Sequence, residues 1–166
     1  MGEKKEETIM IGEIKSHSEG KERHRLVPAV HLFLIKDNQI LLLRRYRTGW
    51  QDGNYSVPAG HIEEGEPATK AMIRETEEEI RAKIPSEDLT FCGVMHRRKT
   101  EEGEERVDFF FTTNKWQGEI KIGEPDKCDN LQWFPLDQLP DNIVPYIKRA
   151  IDNYRKELVY SEFGWD

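Results

Sequence analysis

The chain has 166 residues, 36% of them apolar and 34% charged, with a formal charge of −7 at pH 7. That length suits one domain with one core, and the dense apolar runs and 10% aromatic content argue against global disorder. A net acidic chain lacks the basic face that coats duplex nucleic acid, but a few arginines and a metal can still hold a small phosphorylated ligand.

Two isolated cysteines, Cys92 and Cys128, form neither a disulfide framework nor a zinc spacing, and read as reduced, partly buried thiols. No apolar stretch reaches the ~20 residues that cross a bilayer. The start, MGEKKEETIMIGEIKSHSEGKERH, has no apolar core of the kind a signal peptide needs. A soluble, cytoplasmic protein without a membrane partner is expected.

Residues 1–24 are charge-rich and expected to be partly ordered, with Ile9, Met10, Ile11 and Ile14 able to form one short strand. Residues 25–166 read as a single domain. LVPAVHLFLI and QILLLRR are strand-like runs around the turn pair Asp37-Asn38, which predicts a β-hairpin. RTGWQDGN is a polar loop and YSVPAG a short extended segment. A helix follows, with Pro67 in its first turn, Met72, Ile73, Thr76 and Ile80 on one stripe, and Pro85 as its stop. LTFCGVMHR and RVDFFFTT read as strands joined by the charged loop RKTEEGEE. Asp108 sits within the second of these strands and needs a partner there. WQGEIKIGEPDKCDN is mostly loop, LQWFPL a further strand, and VPYIKRAIDNYRKEL an amphipathic helix. Trp133 and Phe134 read as core. The order predicts an α/β fold, an α-β-α sandwich with a mixed β-sheet between helices.

The densest chemistry is RETEEEI, residues 74–80. On a helix turning about 100° per residue, Glu78 and Glu79 fall about 60° and 40° either side of Glu75, whereas Glu77 lies about 160° away. Three carboxylates thus share a face and one is a bystander. Composition alone allows an acidic surface partnered by Arg74, Arg81 and Lys83. It equally allows a site for a hard cation such as Mg²⁺, which takes oxygen ligands and is usually shared with substrate phosphates.

The flanking residues favour the second. GHIEEGEPATKAMIRETEEEIRA resembles the Nudix box, G-x5-E-x7-R-E-U-x-E-E-x-G-U with U apolar. Gly60, Glu66, Arg74, Glu75, Glu78 and Glu79 fall on its fixed positions without a gap. The surrounding strand order is also similar to that fold. Two residues depart from the pattern: Thr76 replaces an apolar residue, and Arg81 replaces the glycine after the helix, where a left-handed cap prefers glycine.

The resemblance implies a MutT-like Nudix hydrolase that uses Mg²⁺, or Mn²⁺, to cleave a nucleoside diphosphate linkage. It assigns metal ligation to Glu75, Glu78, Glu79, Glu124 and the Ala59 carbonyl, with Glu75, Glu78 and Glu124 catalytic. Glu124 matches a glutamate beyond the box, and Glu101, Glu102, Glu104 and Glu105 are its rivals. Gly60 is expected to permit a tight turn, and Glu66 and Arg74 to pair and brace the loop. Arg44 and Arg45 resemble an RR pair whose second arginine reaches the phosphates; Arg45 matches that position, and a snorkelling edge arginine is the other reading. Asn142 matches an asparagine that reads a guanine-type base, though an N-cap for the last helix is an equal reading. His31, His61 and His96 have no nucleophile at readable spacing.

The implied substrate is a (deoxy)nucleoside triphosphate of the 8-oxo-dGTP type, released as monophosphate and pyrophosphate. Other diphosphates (ADP-ribose, a dinucleoside polyphosphate, NADH or capped RNA) are the alternative, and a non-catalytic nucleotide-binding module is a third. HRRKT lacks the proline typical of ADP-ribose members past the box. The SQPWPFPxS signature of NADH members and the tyrosine of dinucleoside polyphosphate members are also missing. Both a monomer and a homodimer fit the sequence.

Overall fold

The protein is described from a computed structural model covering residues 23–101 and 103–165. The strand expected near Ile9 therefore lies outside the described residues. Asp37 and Asn38 both take positive φ, 51° and 59°, as a two-residue hairpin turn requires. This turn joins β1 (Val27–Lys36) to β2 (Gln39–Arg45). The hairpin is real only at its tip, with Ile35 opposite Ile40 and Lys36 opposite Gln39. Beyond the tip the strands part. β1 runs parallel to β6 (Arg106–Thr113) and pairs on its other side with β4 (Ala59–His61). β2 pairs with β3 (Tyr55–Ser56) and β7 (Cys128–Pro135).

The rest of the sheet is β5 (Thr90–Arg97), antiparallel to β6, and β8 (Tyr160–Phe163), parallel to β5. The main path runs β3-β2-β1-β6-β5-β8, a mixed sheet as expected. β8 is an element the sequence did not disclose. It lays the aromatic tail on the protein's own sheet, with Phe163 reaching the core and Trp165 Nε1 donating to His96 O at 3.1 Å.

Alternation along β1 and β2 sorts their side chains onto two faces. Val30, Leu32, Leu34, Leu41 and Leu43 face α1 (Ala68–Ile80) and pack with Met72 and Ile80. Phe33, Ile35, Ile40 and Leu42 face α2 (Pro145–Arg155) and pack with Tyr146, Ile147 and Ile151. Each helix thus buries one stripe on one face, which completes the sandwich. Trp133 and Phe134 alternate in the same way, Trp133 toward α1's core and Phe134 toward α2's.

The helix expectations need three adjustments. α1 ends at Ile80, well before Pro85, and Pro67 is its N-cap rather than a residue of its first turn. The buried stripe is Ala71, Met72, Thr76 and Ile80, with Ile73 off it. Thr76 tolerates full burial because its hydroxyl donates to Met72 O at 2.7 Å, so no polar group is left unpaired. No helix among the described residues is long and apolar enough to cross a membrane.

Candidate active site

The N-terminal end of the site is a loop braced by Arg74. Its guanidinium donates to both Glu66 oxygens at 2.9 and 3.0 Å and to His61 O at 3.1 Å. Hydrogen bonds from Arg74 hold the Glu66 carboxyl at about 2, well below the usual carboxylate range. The fork geometry suits arginine; a lysine could not make both bonds and also reach the backbone.

Beyond the brace, the three glutamates on one side of α1 have different surroundings. Glu75 and Glu79 are half-buried against β4, whereas Glu78 is exposed at the rim. Arg74 Nη1 donates to Glu75 Oε1 at 2.7 Å and lies 3.5 Å from Glu78 Oε2. The Ala59 N–H donates to Glu79 Oε2 at 2.8 Å. Glu77 points away and faces Lys83 at 3.6 Å.

Gly60 serves a different purpose from the one its motif position predicts. It lies in β4 with no positive φ, so no turn depends on it. A Cβ there would collide with the Glu75 carboxyl group. The missing side chain is therefore room for a carboxylate, and α1 can press Glu75 and Glu79 against the β4 backbone.

The third wall is the segment 114–127, which runs along the exit of α1. Gly123 N–H donates to Glu79 O at 2.8 Å and Lys121 N–H to Ile80 O at 3.1 Å, so orphan carbonyls of the last helical turn are capped by this loop. Glu124 follows directly, with Lys127 Nζ donating to its Oε1 at 2.8 Å. Of the acids weighed for this place, Glu105 is held elsewhere by His96 Nε2 at 2.8 Å.

The electrostatics are those of like charges that their nitrogen partners offset only in part. Burial pushes the Glu79 carboxyl up to about 8, and the charges of Glu75 and Glu124 add to this against the opposing Ala59 N–H. Burial likewise raises Glu75; Arg74 opposes that, and the charges of Glu78 and Glu124 reinforce it. Lys127 is raised by its Glu124 partner.

The donor set fits a hard divalent cation. It consists of carboxylate oxygens with a shared excess of negative charge, brought together where Gly60 leaves room for the Glu75 carboxyl. As they stand, each carboxylate is held by a nitrogen donor. No three His, Cys, Asp or Glu side chains among the described residues are gathered at ligand distance of one point.

Arg45 and Arg44 stand at the end of β2, both already engaged. Arg45 Nε donates to Trp50 O at 2.8 Å, Nη2 to Thr48 Oγ1 at 2.9 Å, and its guanidinium lies over the Trp50 ring at 4.9 Å. Arg44 makes a two-pronged pair with Asp129 at 2.8 and 3.1 Å. Asn142 is no N-cap: α2 begins with Val144 as cap and Pro145 behind it. Its Nδ2 donates instead to Gly53 O at 2.8 Å, and Tyr55 N–H donates to its main-chain carbonyl at 2.7 Å. Asn142, Trp50 and Arg45 thereby line one loop.

A cluster missed at the sequence level lies across the sheet. Asp108, fully buried, receives His31 Nε2 at 3.0 Å and Arg97 at 2.8 and 3.2 Å. Burial alone would raise this carboxyl, but its two partners overcome burial and hold it at about 2. Arg97 lies 3.8 Å above the Tyr146 ring. The only advance signal was an aspartate in an apolar strand. The cysteines stay free; burial raises both, Cys92 to about 12, which makes it an inert thiol.

Comparison with known proteins places the chain in a family. The NUDIX domain family pattern matches residues 25–154. An ADP-ribose pyrophosphatase of Methanocaldococcus jannaschii is 31% identical over 76% of this chain and 73% of its own length. A human 8-oxo-dGDP phosphatase is 30% identical over 66% of this chain, which spans only 32% of that protein. The crystal structure of a MutT NUDIX hydrolase from Burkholderia pseudomallei superimposes with a TM-score of 0.72 at 26% identity, covering 78% of this chain and 98% of that one. Nudix hydrolases act on nucleotide substrates and generally need a divalent metal. The chain belongs to this family and is a MutT-like Nudix hydrolase, a pyrophosphohydrolase by class.

Proposed function

We propose that residues 25–166 form one catalytic domain that hydrolyses the diphosphate linkage of a nucleotide. The observation carrying this reading is the placement of Glu75 and Glu79 against β4 at Ala59 and Gly60, with Glu124 strapped beside them. Glu75, Glu78, Glu79, Glu124 and the Ala59 carbonyl would hold Mg²⁺, with Mn²⁺ as a substitute. A divalent cation there supplies charge neutralisation of the diphosphate and a more acidic water. Glu124 takes the proton from the attacking water, and Glu75 and Glu78 complete the catalytic set. The new bond forms between that water's oxygen and a phosphorus, and the bridging P–O bond breaks. Arg45 and Arg44 hold the phosphates. Glu66 and Arg74 fix the loop into α1.

The finer reading is a (deoxy)nucleoside triphosphate of the 8-oxo-dGTP type, cleaved to monophosphate and pyrophosphate. It is supported by Asn142, whose Nδ2 donates to Gly53 O in the loop that also carries Trp50 and whose Oδ1 can accept from a purine edge. ADP-ribose is the second reading, favoured by the archaeal relative at 31% identity. A panel of both compounds with Mg²⁺ separates them. Faster turnover of 8-oxo-dGTP supports the first, and preference for ADP-ribose over every triphosphate replaces it. Full turnover by Glu78→Gln or Glu79→Gln would remove the metal-site assignment.

A further inference from the structure

The exit of α1 breaks the family pattern at one residue, and the structure shows what that residue does instead. Arg81 takes the left-handed conformation, φ 58° and ψ 13°, and its N–H donates to Glu77 O at 3.1 Å. Glycine adopts this conformation without steric cost and arginine does not. The side chain supplies the compensation: Arg81 Nη2 donates to Gly123 O at 2.8 Å. Gly123 is thus held from both sides, its N–H on Glu79 O and its C=O on Arg81. The approach is so close that a Cβ on Gly123 would meet the Glu78 carbonyl. The next residue is Glu124, whose own carbonyl accepts from Lys127 and Cys128 N–H at 2.9 and 3.0 Å. Glu124 therefore sits between two fixed points, one a short turn of its own loop and the other a clamp made by Arg81.

We propose that Arg81 is a positioning residue that clamps the Gly123–Glu124 segment to the end of α1 and so sets Glu124 against the glutamates of the helix. This rests on the reading of Glu124 given above. Losing such an outer contact to a reacting or ligating group typically costs roughly 10–100-fold in activity or metal affinity.

The variants Arg81→Gly, Arg81→Lys and Glu124→Gln test it. Arg81→Gly relieves the backbone and removes the clamp, so stability and activity move apart. Its Tm should equal or exceed the wild type. Its kcat should fall roughly 10-fold with little change in KM, and the Gly123 amide should exchange faster with solvent by NMR. Arg81→Lys, which keeps a donor, should recover part of the loss. Unchanged Gly123 exchange overturns the clamp. So does a fall in Tm with kcat per folded molecule unaltered. Full turnover by Arg81→Gly beside a crippled Glu124→Gln removes the clamp alone. Full turnover by Glu124→Gln removes the role of Glu124 and the clamp's purpose with it.

Discussion

The two faces of the sheet carry acids in opposite states. On the α2 face, Asp108 is fully buried and fully answered by His31 and Arg97. On the α1 face, Glu75 and Glu79 are only half-buried, yet burial raises both, with the charges of Glu78 and Glu124 adding to it at Glu75 and those of Glu75 and Glu124 at Glu79. A buried carboxylate with cationic partners is part of the fold; clustered carboxylates with too few partners store repulsion that a cation can relieve. On the proposal above, the difference separates a structural cluster from a metal-binding one by charge pairing.

Breaking the paired cluster should hurt stability most. Asp108→Ala leaves the buried His31 and the partly buried Arg97 without their acceptor, which should destabilise the fold by about 3–5 kcal/mol in chemical denaturation. Turnover per folded molecule should change far less.

The same pair sets an acid limit. Asp108 is held at about 2, below its ordinary 3.8, so its contribution is complete above pH ~4 and is lost as pH falls toward 2. About 2 kcal/mol should disappear across that window. Asp108→Asn should flatten this part of the stability profile.

Away from this paired cluster the effects should be smaller and fall on function. Asn142→Ala removes the hydrogen bond to Gly53 and the amide facing the loop. KM for a purine triphosphate should rise several-fold, equivalent to about 1 kcal/mol for one lost polar contact. Metal dependence should not move. Glu79→Gln should leave metal-free stability unchanged or raise it, because burial already disfavours a charge there and the amide oxygen can still accept from the Ala59 N–H. A loss of metal-free stability would mean that Glu79 is a fold carboxylate like Asp108, and the contrast between the faces would fail.

The sequence disclosed the α1 face better than the α2 face, for a physical reason. The spacing of Glu75, Glu78 and Glu79 is local, so helical periodicity alone places them together, and Glu77 apart. Asp108 depends on His31 and Arg97, which only the β1–β6–β5 pairing brings beside it. The parting of β1 from β2 is hidden for the same reason, since the turn dictates two residue pairs and long-range partners dictate the rest. β8 is too short and too exposed to show a pattern. Gly60 was legible as necessary, though its reason, room for Glu75, lies in a helix fifteen residues on. Arg81 was legible as a departure, and its remedy at Gly123 was not.

The central claim is that the partly offset carboxylates of α1 serve a catalytic cation. The direct measurement follows the rate of nucleotide diphosphate hydrolysis as Mg²⁺ is added to chelator-stripped protein, for wild type and Glu79→Gln together. The account predicts no turnover without metal, saturable activation of the wild type, and a Glu79→Gln rate lower by roughly 10²-fold. Full hydrolysis in the presence of chelator, or wild-type activation of Glu79→Gln, would contradict it.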